Sequence, residues 1–198
     1  MQLIQENPDL SVYLAADDVV DHRHPLVREV AAGLAKSSVD TYAYARAAFE
    51  FVRDAIPHSQ DSGRMEVTWR ASDVLREHTG ICTAKSHALA ALLRAEDIPT
   101  AFCYQRLRDD NTSGYSLHGL VAVRLDGAWH RQDPRGNIPA GVDAQFCLGE
   151  ERLAWPVDPQ SNEVDYPVLY AKPSPVALRV LKEARDRTHL WQIYPSAL

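Results

Sequence analysis

Gly80-Ile81-Cys82-Thr83-Ala84-Lys85-Ser86-His87-Ala88-Leu89-Ala90-Ala91-Leu92-Leu93-Arg94-Ala95-Glu96 is the most helical stretch of the chain. Ala88, Leu89, Leu92 and Leu93 form one apolar stripe, so a helix from Cys82 to Glu96 is expected at the centre of the core. Gly80 lets the backbone turn tightly into this helix and is expected to leave the Cys82 sulfur at a surface cleft. A helix N-terminus presents unpaired N–H groups and a partial positive charge. Both favour a thiolate, and such sites lower a cysteine pKa to roughly 3.5–7.5. Cys82 is therefore read as a nucleophile. The plain alternative, a small buried hydrophobe, is the reading given to Cys103 in an apolar strand and Cys147 in a loop.

The segments before this helix are also helical. Pro25 follows His24 and suits a first helical position, with Val27, Val30, Ala31 and Leu34 on the apolar face. Asp40 can cap a second helix marked by Ala45, Ala48, Phe49, Val52 and Ile56, which Pro57 closes. Ser72 is expected to cap a short third helix that stops near Gly80. The stretch from Ser11 to Ala16 reads as a strand. After Glu96 the pattern changes to period two. Strands are expected over Thr100–Leu107, His118–Leu125 and Ala128–Asp133, with a polar loop from Asp109 to Ser116. Five prolines between 156 and 175 describe an irregular wrapping segment, and Ser174-Pro175 opens a last helix through about Arg185. Helices followed by antiparallel strands give an α+β class.

Asp126-Gly127 is a strong hairpin signal. If it is a two-residue turn, Leu125 pairs with Ala128, and the register then sets Asp133 opposite Leu120. His118 lies two residues from Leu120 and shares its face. His118 and Asp133 become diagonal neighbours, ~7–8 Å apart at Cα and within side-chain reach. A turn one residue longer or shorter would separate them onto opposite faces.

A cysteine at a helix start facing a His–Asp pair fits thiol acyl transfer. Cys82 attacks a carbonyl carbon, His118 moves the proton, and Asp133 orients the imidazole and stabilises its charged form. The Cys82 N–H can serve as one oxyanion donor, and the Trp69 indole N–H is a candidate second. Tyr104, Gln105, Tyr115 and Trp129 are candidate cleft residues. Their chemistry fits too many peptides to name a substrate.

The chain resembles the transglutaminase-like superfamily over about residues 40–137. The resemblance rests on Gly80-Ile81-Cys82 with its alanine- and leucine-rich helix, Ile98-Pro99-Thr100-Ala101 entering a strand, His118, and Trp129-His130-Arg131-Gln132-Asp133-Pro134. The Ala47–Ile56 helix and Ala71-Ser72-Asp73-Val74-Leu75 add to it. It implies a papain-like α+β fold, with the nucleophile helix packed on a curved antiparallel sheet. It also implies a Cys-His-Asp triad carried by Cys82, His118 and Asp133, as in bacterial members described as cysteine proteases. Two positions depart from the family's pattern. Gly119 and Leu120 follow the histidine where an aromatic often comes second, and Asp97 stands where glycine commonly ends the helix.

Composition narrows the function classes. The chain has 198 residues, 45% hydrophobic and 24% charged, which is ordinary for a globular protein and fits one domain. We expect a single domain over 1–198, with extensions at both ends packing on the core. The net charge of −6, without a basic block, argues against nucleic acid and anionic membranes. No apolar run reaches a span's ~18 residues, and no signal pattern precedes Ser11. Three cysteines without a Cys-x-x-Cys pair suggest reduced thiols and a cytoplasmic setting. No metal or cofactor is called for. His22 and His24 read as a helix entrance, and Asp109-Asp110-Asn111-Thr112-Ser113-Gly114 as a solvated loop near the cleft, because a calcium loop's twelfth position would be Leu120. The expected function is acyl transfer on a peptide or protein amide, with hydrolysis favoured over transamidation. A non-catalytic interaction module keeping the same fold is the alternative. Oligomeric state is left open.

Overall fold

The computed structural model describes residues 1–109, 114–138 and 141–198. Seven helices are α1 Pro25–Lys36, α2 Thr41–Ala55, α3 Ser59–Ser62, α4 Ala71–Glu77, α5 Cys82–Ala95, α6 Pro175–Glu183 and α7 Arg187–Ile193 among the described residues. The strands are β1 Ile4–Gln5, β2 Thr100–Arg108, β3 Tyr115–Leu125, β4 Ala128–Gln132, β5 Val164–Asp165 and β6 Val168–Leu169. A curled antiparallel sheet runs in the order β4-β3-β2-β5, and β1 pairs with β6 in a parallel two-stranded sheet. The class is α+β, as expected. Among the described residues no helix is long and apolar enough to cross a membrane.

α5 is the axis of the molecule. All 14 of its residues are buried, because α1, α2, α4, β2 and β3 pack around it. Its only charges therefore need internal partners. Arg94 donates to the carbonyls of Ala15, Thr100 and Ala171, which ties the end of the helix to both flanking segments. The Lys85 ammonium donates to the carbonyls of Ile56 and Arg53 at the end of α2. Burial brings that lysine's pKa down to about 7.

The sheet is covered on both sides. Phe102, Tyr104, Leu117, Val121 and Val123 face the α5 side and join the larger core. Ala101, Cys103, Leu120 and Ala122 face the other side, where Tyr13 and Leu169 close a second apolar layer. The β3–β4 register is the expected one, with Leu125 opposite Ala128 and Val121 opposite Gln132. Asp126 and Gly127 both have positive φ, 51° and 77°, which is the conformation a two-residue hairpin turn requires.

Local expectations held where a cap or turn was written in the residues. The His24 ring accepts from Leu26 N and opens α1, and Asp40 accepts from Ala43 N and opens α2. Asp97 does adopt a left-handed conformation, φ 57°, after α5. Four readings need correction. Ser11–Ala16 is not a strand: Asp9 accepts from Ser11 N and sets a 3-10 turn over Leu10–Tyr13. Ser72 does not cap α4, which Arg70 precedes; Ser72 N and Oγ instead donate to Asp21. The helix after Ser174 is not the last, since Asp186 caps α7. Gly80 needs space rather than an unusual φ, because a Cβ there would sit 3.1 Å from the Ala84 Cβ. Short β5 and β6 within the proline-rich segment were not legible. Of the loop from Asp109 to Gly114, residues 110–113 lie outside the described residues.

Candidate active site

The site lies in a notch where two strands part. β3 and β4 are paired only as far as Val121 and Gln132. Every second residue of β3 turns its main-chain groups toward β4, so Gly119 and Leu117 point into the space beyond the end of that ladder. α5 fills part of it. Ser86 Oγ donates to the Gly119 carbonyl at 3.0 Å, and the Gly119 amide favours a thiolate at Cys82. Cys82 and Ser86 stand one helical turn apart and thus face the main chain of one residue. The approach is close enough to demand glycine: a Cβ at 119 would lie 3.0 Å from the Thr83 Cα and Oγ1.

His118 and Asp133 enter the notch from the other face of the sheet. His118 Nε2 donates to Asp133 Oδ2 at 2.8 Å, the neighbourhood that the hairpin register predicted. Asp133 is fully buried and holds its place through two amides, from Arg135 N to Oδ1 at 3.1 Å and from Ala154 N to Oδ2 at 3.0 Å. With Nε2 engaged, Nδ1 is the nitrogen left to serve the sulfur, and the charges of His118 and Cys82 favour one another. Trp155 packs edge-on to the imidazole, 5.3 Å between ring centres, and shields the His–Asp bond from water.

The charges follow from these neighbours. Burial disfavours an imidazolium at His118, but the Asp133 and Cys82 charges and hydrogen bonds outweigh it and raise the pKa to about 10. Burial likewise opposes a Cys82 thiolate. The His118 charge, its hydrogen bond, the Gly119 amide and the Thr83 hydroxyl reverse that and hold the thiol below its ordinary value. Asp133, despite burial, is pulled below the usual carboxylate value by His118 and the two amides. No side chain caps the first turn of α5, and no acidic residue stands in it. Its first N–H groups are left without a capping side chain.

The expected open cleft is corrected. Cys82 is only 6% exposed. The Tyr194 phenol, from the segment after α7, shares a 2.5 Å hydrogen bond with Thr83 Oγ1 beside the sulfur. The other candidates are dispersed. Trp69 packs with Ile81 and Leu181, and its ring faces carry the Arg70 and Lys182 cations. The Tyr104 hydroxyl accepts from Ser174 N at 2.7 Å, which holds the start of α6. Gln105 sits opposite His118 and donates to Asp165; with Arg131, Glu151 and Trp155 it lines a cavity of about 380 Å³. Tyr115 donates to the Ser161 carbonyl under the Arg106 guanidinium. Trp129 lies against Tyr13 in the second apolar layer, ring centres 5.1 Å apart.

Several residues of the notch were missed. The turn Asp133-Pro134-Arg135 could have been found, since an aspartate accepting from the amide two residues on is a local signal. Trp155 and Tyr194 carry no such signal, because only long-range packing brings them to His118 and Thr83.

The transglutaminase-like superfamily model matches residues 28–134, more than half of the chain. The chain belongs to this superfamily. Among solved structures, one described as "a Putative Cysteine Protease from Cytophaga hutchinsonii" is 18% identical with a TM-score of 0.55, over 65% of this chain and 43% of that one. Another, described as a TGase, is 17% identical with a TM-score of 0.41, over 66% and 34%. The chain thus spans less than half the length of either protein. The first likeness is one of fold and agrees with a transglutaminase-like, papain-like architecture. No curated protein is significantly similar.

Proposed function

We propose that the chain is a thiol-dependent acyl-transfer enzyme that acts on amide or peptide bonds through Cys82, His118 and Asp133. The observation that supports this most is the buried His118–Asp133 bond of 2.8 Å, on an imidazole whose charge favours the thiolate of Cys82 at an uncapped helix start. The resting state on this reading is a thiolate–imidazolium pair. The thiolate attacks the carbonyl carbon, and the oxygen that becomes negative is met by N–H groups of α5's first turn, among them that of Cys82. As the tetrahedral centre collapses, His118 gives its proton to the leaving amine and a thioester to Cys82 remains. Neutral His118 then takes a proton from the incoming nucleophile, which releases the acyl group and restores the thiolate. Asp133 keeps Nε2–H fixed so that Nδ1 faces the sulfur throughout.

Water and an amine can both accept the acyl group at the same machinery. Water needs no subsite of its own, and hydrolysis is the reading we favour. The test is direct. An activated ester should leave an acyl adduct on wild type, seen by intact mass and mapped to Cys82, and none on Cys82→Ala, whose fold should survive because alanine suits a helix start. A peptide pool with and without a labelled primary amine then separates hydrolysis from transamidation. Full turnover in folded Cys82→Ala would end this reading.

A further inference from the structure

The roof over Cys82 has the form of a bound peptide. Pro195 restricts Tyr194 to an extended backbone, and Tyr194 leaves α7 at φ −68° and ψ 136°. The chain then runs along the free edge of β3. The Pro195 carbonyl accepts from Leu117 N at 2.9 Å, a strand-type bond in the place that β4 vacated. Two residues along, the Gly119 amide faces the same space and favours the Cys82 thiolate. The Tyr194 side chain drops beside Thr83 and shares its hydroxyl bond there. Burial and the neighbouring Cys82 charge push its phenol up.

This segment is held lightly for something that covers a buried thiol. Leu190 is the one residue of α7 that is fully packed away, against the Ile81 and Leu181 cluster. Ile193 and Tyr194 are half-buried against the same cluster. The other ties lie on exposed side chains and loops, from Trp191 Nε1 and Arg187 to Gln60, from Arg187 N to the Met65 carbonyl and from Leu198 N to the Tyr166 hydroxyl. Segments with few buried apolar contacts open at low free-energy cost.

We propose that Tyr194–Pro195 occupies the subsite where a substrate's main chain docks. The groove on this view takes an extended peptide that adds to the β3 edge at Leu117 and sets a hydroxylated aromatic side chain beside Thr83. The cis segment must swing out before a substrate carbonyl reaches the sulfur. The proposal rests on the acyl-transfer reading for what happens after docking, but the docking itself can be tested without turnover.

The experiment is the iodoacetamide labelling rate of Cys82 at pH 7.5, read by peptide mass spectrometry with Cys103 as internal reference. Tyr194→Ala should label about tenfold faster or more than wild type. Tyr194→Phe keeps the ring and loses the Thr83 bond, and should label a few-fold faster, as one hydrogen bond shifts an opening equilibrium by about fivefold. A synthetic peptide Gln-Ile-Tyr-Pro-Ser-Ala-Leu, copying residues 192–198, should restore slow labelling in Tyr194→Ala; the same peptide with alanine for tyrosine should not. If Tyr194→Ala misfolds by circular dichroism, Tyr194→Phe decides. Wild-type rates in every folded variant would overturn the proposal, as would equal protection by the two peptides. Fast labelling and peptide protection without any acyl adduct would leave docking intact and count against the catalytic reading.

Discussion

Cys82 and Cys103 stand on opposite sides of the same sheet, and both are buried, 6% and 0% exposed. Their chemistry diverges. Cys103 looks into the layer of Tyr13, Leu120 and Ala122, and burial pushes its thiol up to about 12. Burial presses on Cys82 in the same direction, yet His118, the Gly119 amide and Thr83 turn the balance and lower it. Exposure therefore does not distinguish the thiol that we propose as the nucleophile from the one in the apolar layer. The distinction is whether the sulfur sits where a sheet edge and a helix start bring main-chain N–H groups and a paired imidazole together.

The strongest way to break this contrast is Asp133→Asn. Turnover should fall by between about 10² and 10⁴, with a much smaller change in KM, because asparagine neither stabilises the imidazolium nor enforces the same tautomer. Steady-state kinetics on the substrate found by the ester and peptide screens gives both constants, and an effect confined to KM would contradict the role assigned to the carboxylate.

His118→Ala should turn Cys82 into a thiol of nearly ordinary acidity. The charge of His118 is the largest influence favouring the thiolate, while the Gly119 amide and the Thr83 hydroxyl stay in place against burial. Labelling at pH 6 should slow about 100-fold, and by only a few-fold near pH 9, where thiols of ordinary pKa ~8.5 ionise unaided. Equal slowing at both pH values would mean that the variant merely blocks access.

Gly119→Ala probes the helix–sheet approach from which the contrast arises. The added Cβ meets the Thr83 backbone at 3.0 Å, so α5 must shift away from β3. A cost of about 2 kcal/mol is expected in urea unfolding, together with slower Cys82 labelling as the Gly119 N–H leaves the sulfur. Unchanged stability would show that the helix start has room to spare.

A further difference should appear in stability against pH. The raised His118 pKa contributes stabilisation that is fully present below 6.5 and is lost as pH rises through about 10. The depressed Asp133 pKa contributes stabilisation present above 3.8 and lost as pH falls through its lower folded value. Between pH 7 and 10 the wild-type Tm should therefore drop by several degrees more than that of His118→Ala, as thermal melts across that range would register. The smallest effect is Cys103→Ala. It should cost about 1 kcal/mol for the lost packing and leave Cys82 labelling unchanged. A change in the Cys82 rate would couple the two faces of the sheet.

How much of this could be read in advance depends on the range of the interactions. The α5 helix, the α1 start at Pro25, the α2 cap at Asp40 and the Asp126-Gly127 turn are set by neighbours a few residues away, and each was found where expected. The turn then carried a longer inference, since its two-residue length puts His118 and Asp133 on one face and so within reach. Ser11–Ala16 failed because a valine–tyrosine pattern outweighed the Asp9 cap in the reading, while the folded chain gives the cap priority. Trp69 and Trp129 were chosen for residue type and lie with Lys182 and Tyr13 instead.

The residue chemistry and its local spacing are written into the chain: a thiol at a helix start, an imidazole and a carboxylate two residues out of register on a hairpin. Periodicity and turn geometry suffice for these because both are short-range and steric. The state of the thiol belongs to the folded molecule alone. It depends on the notch left where β4 ends, on the Gly119 amide turned into it, on Trp155 against the imidazole and on Tyr194 bonded to Thr83, the neighbour of the cysteine. These groups come from segments far apart in sequence, and desolvation, charge and main-chain hydrogen bonds act only once packing has brought them together.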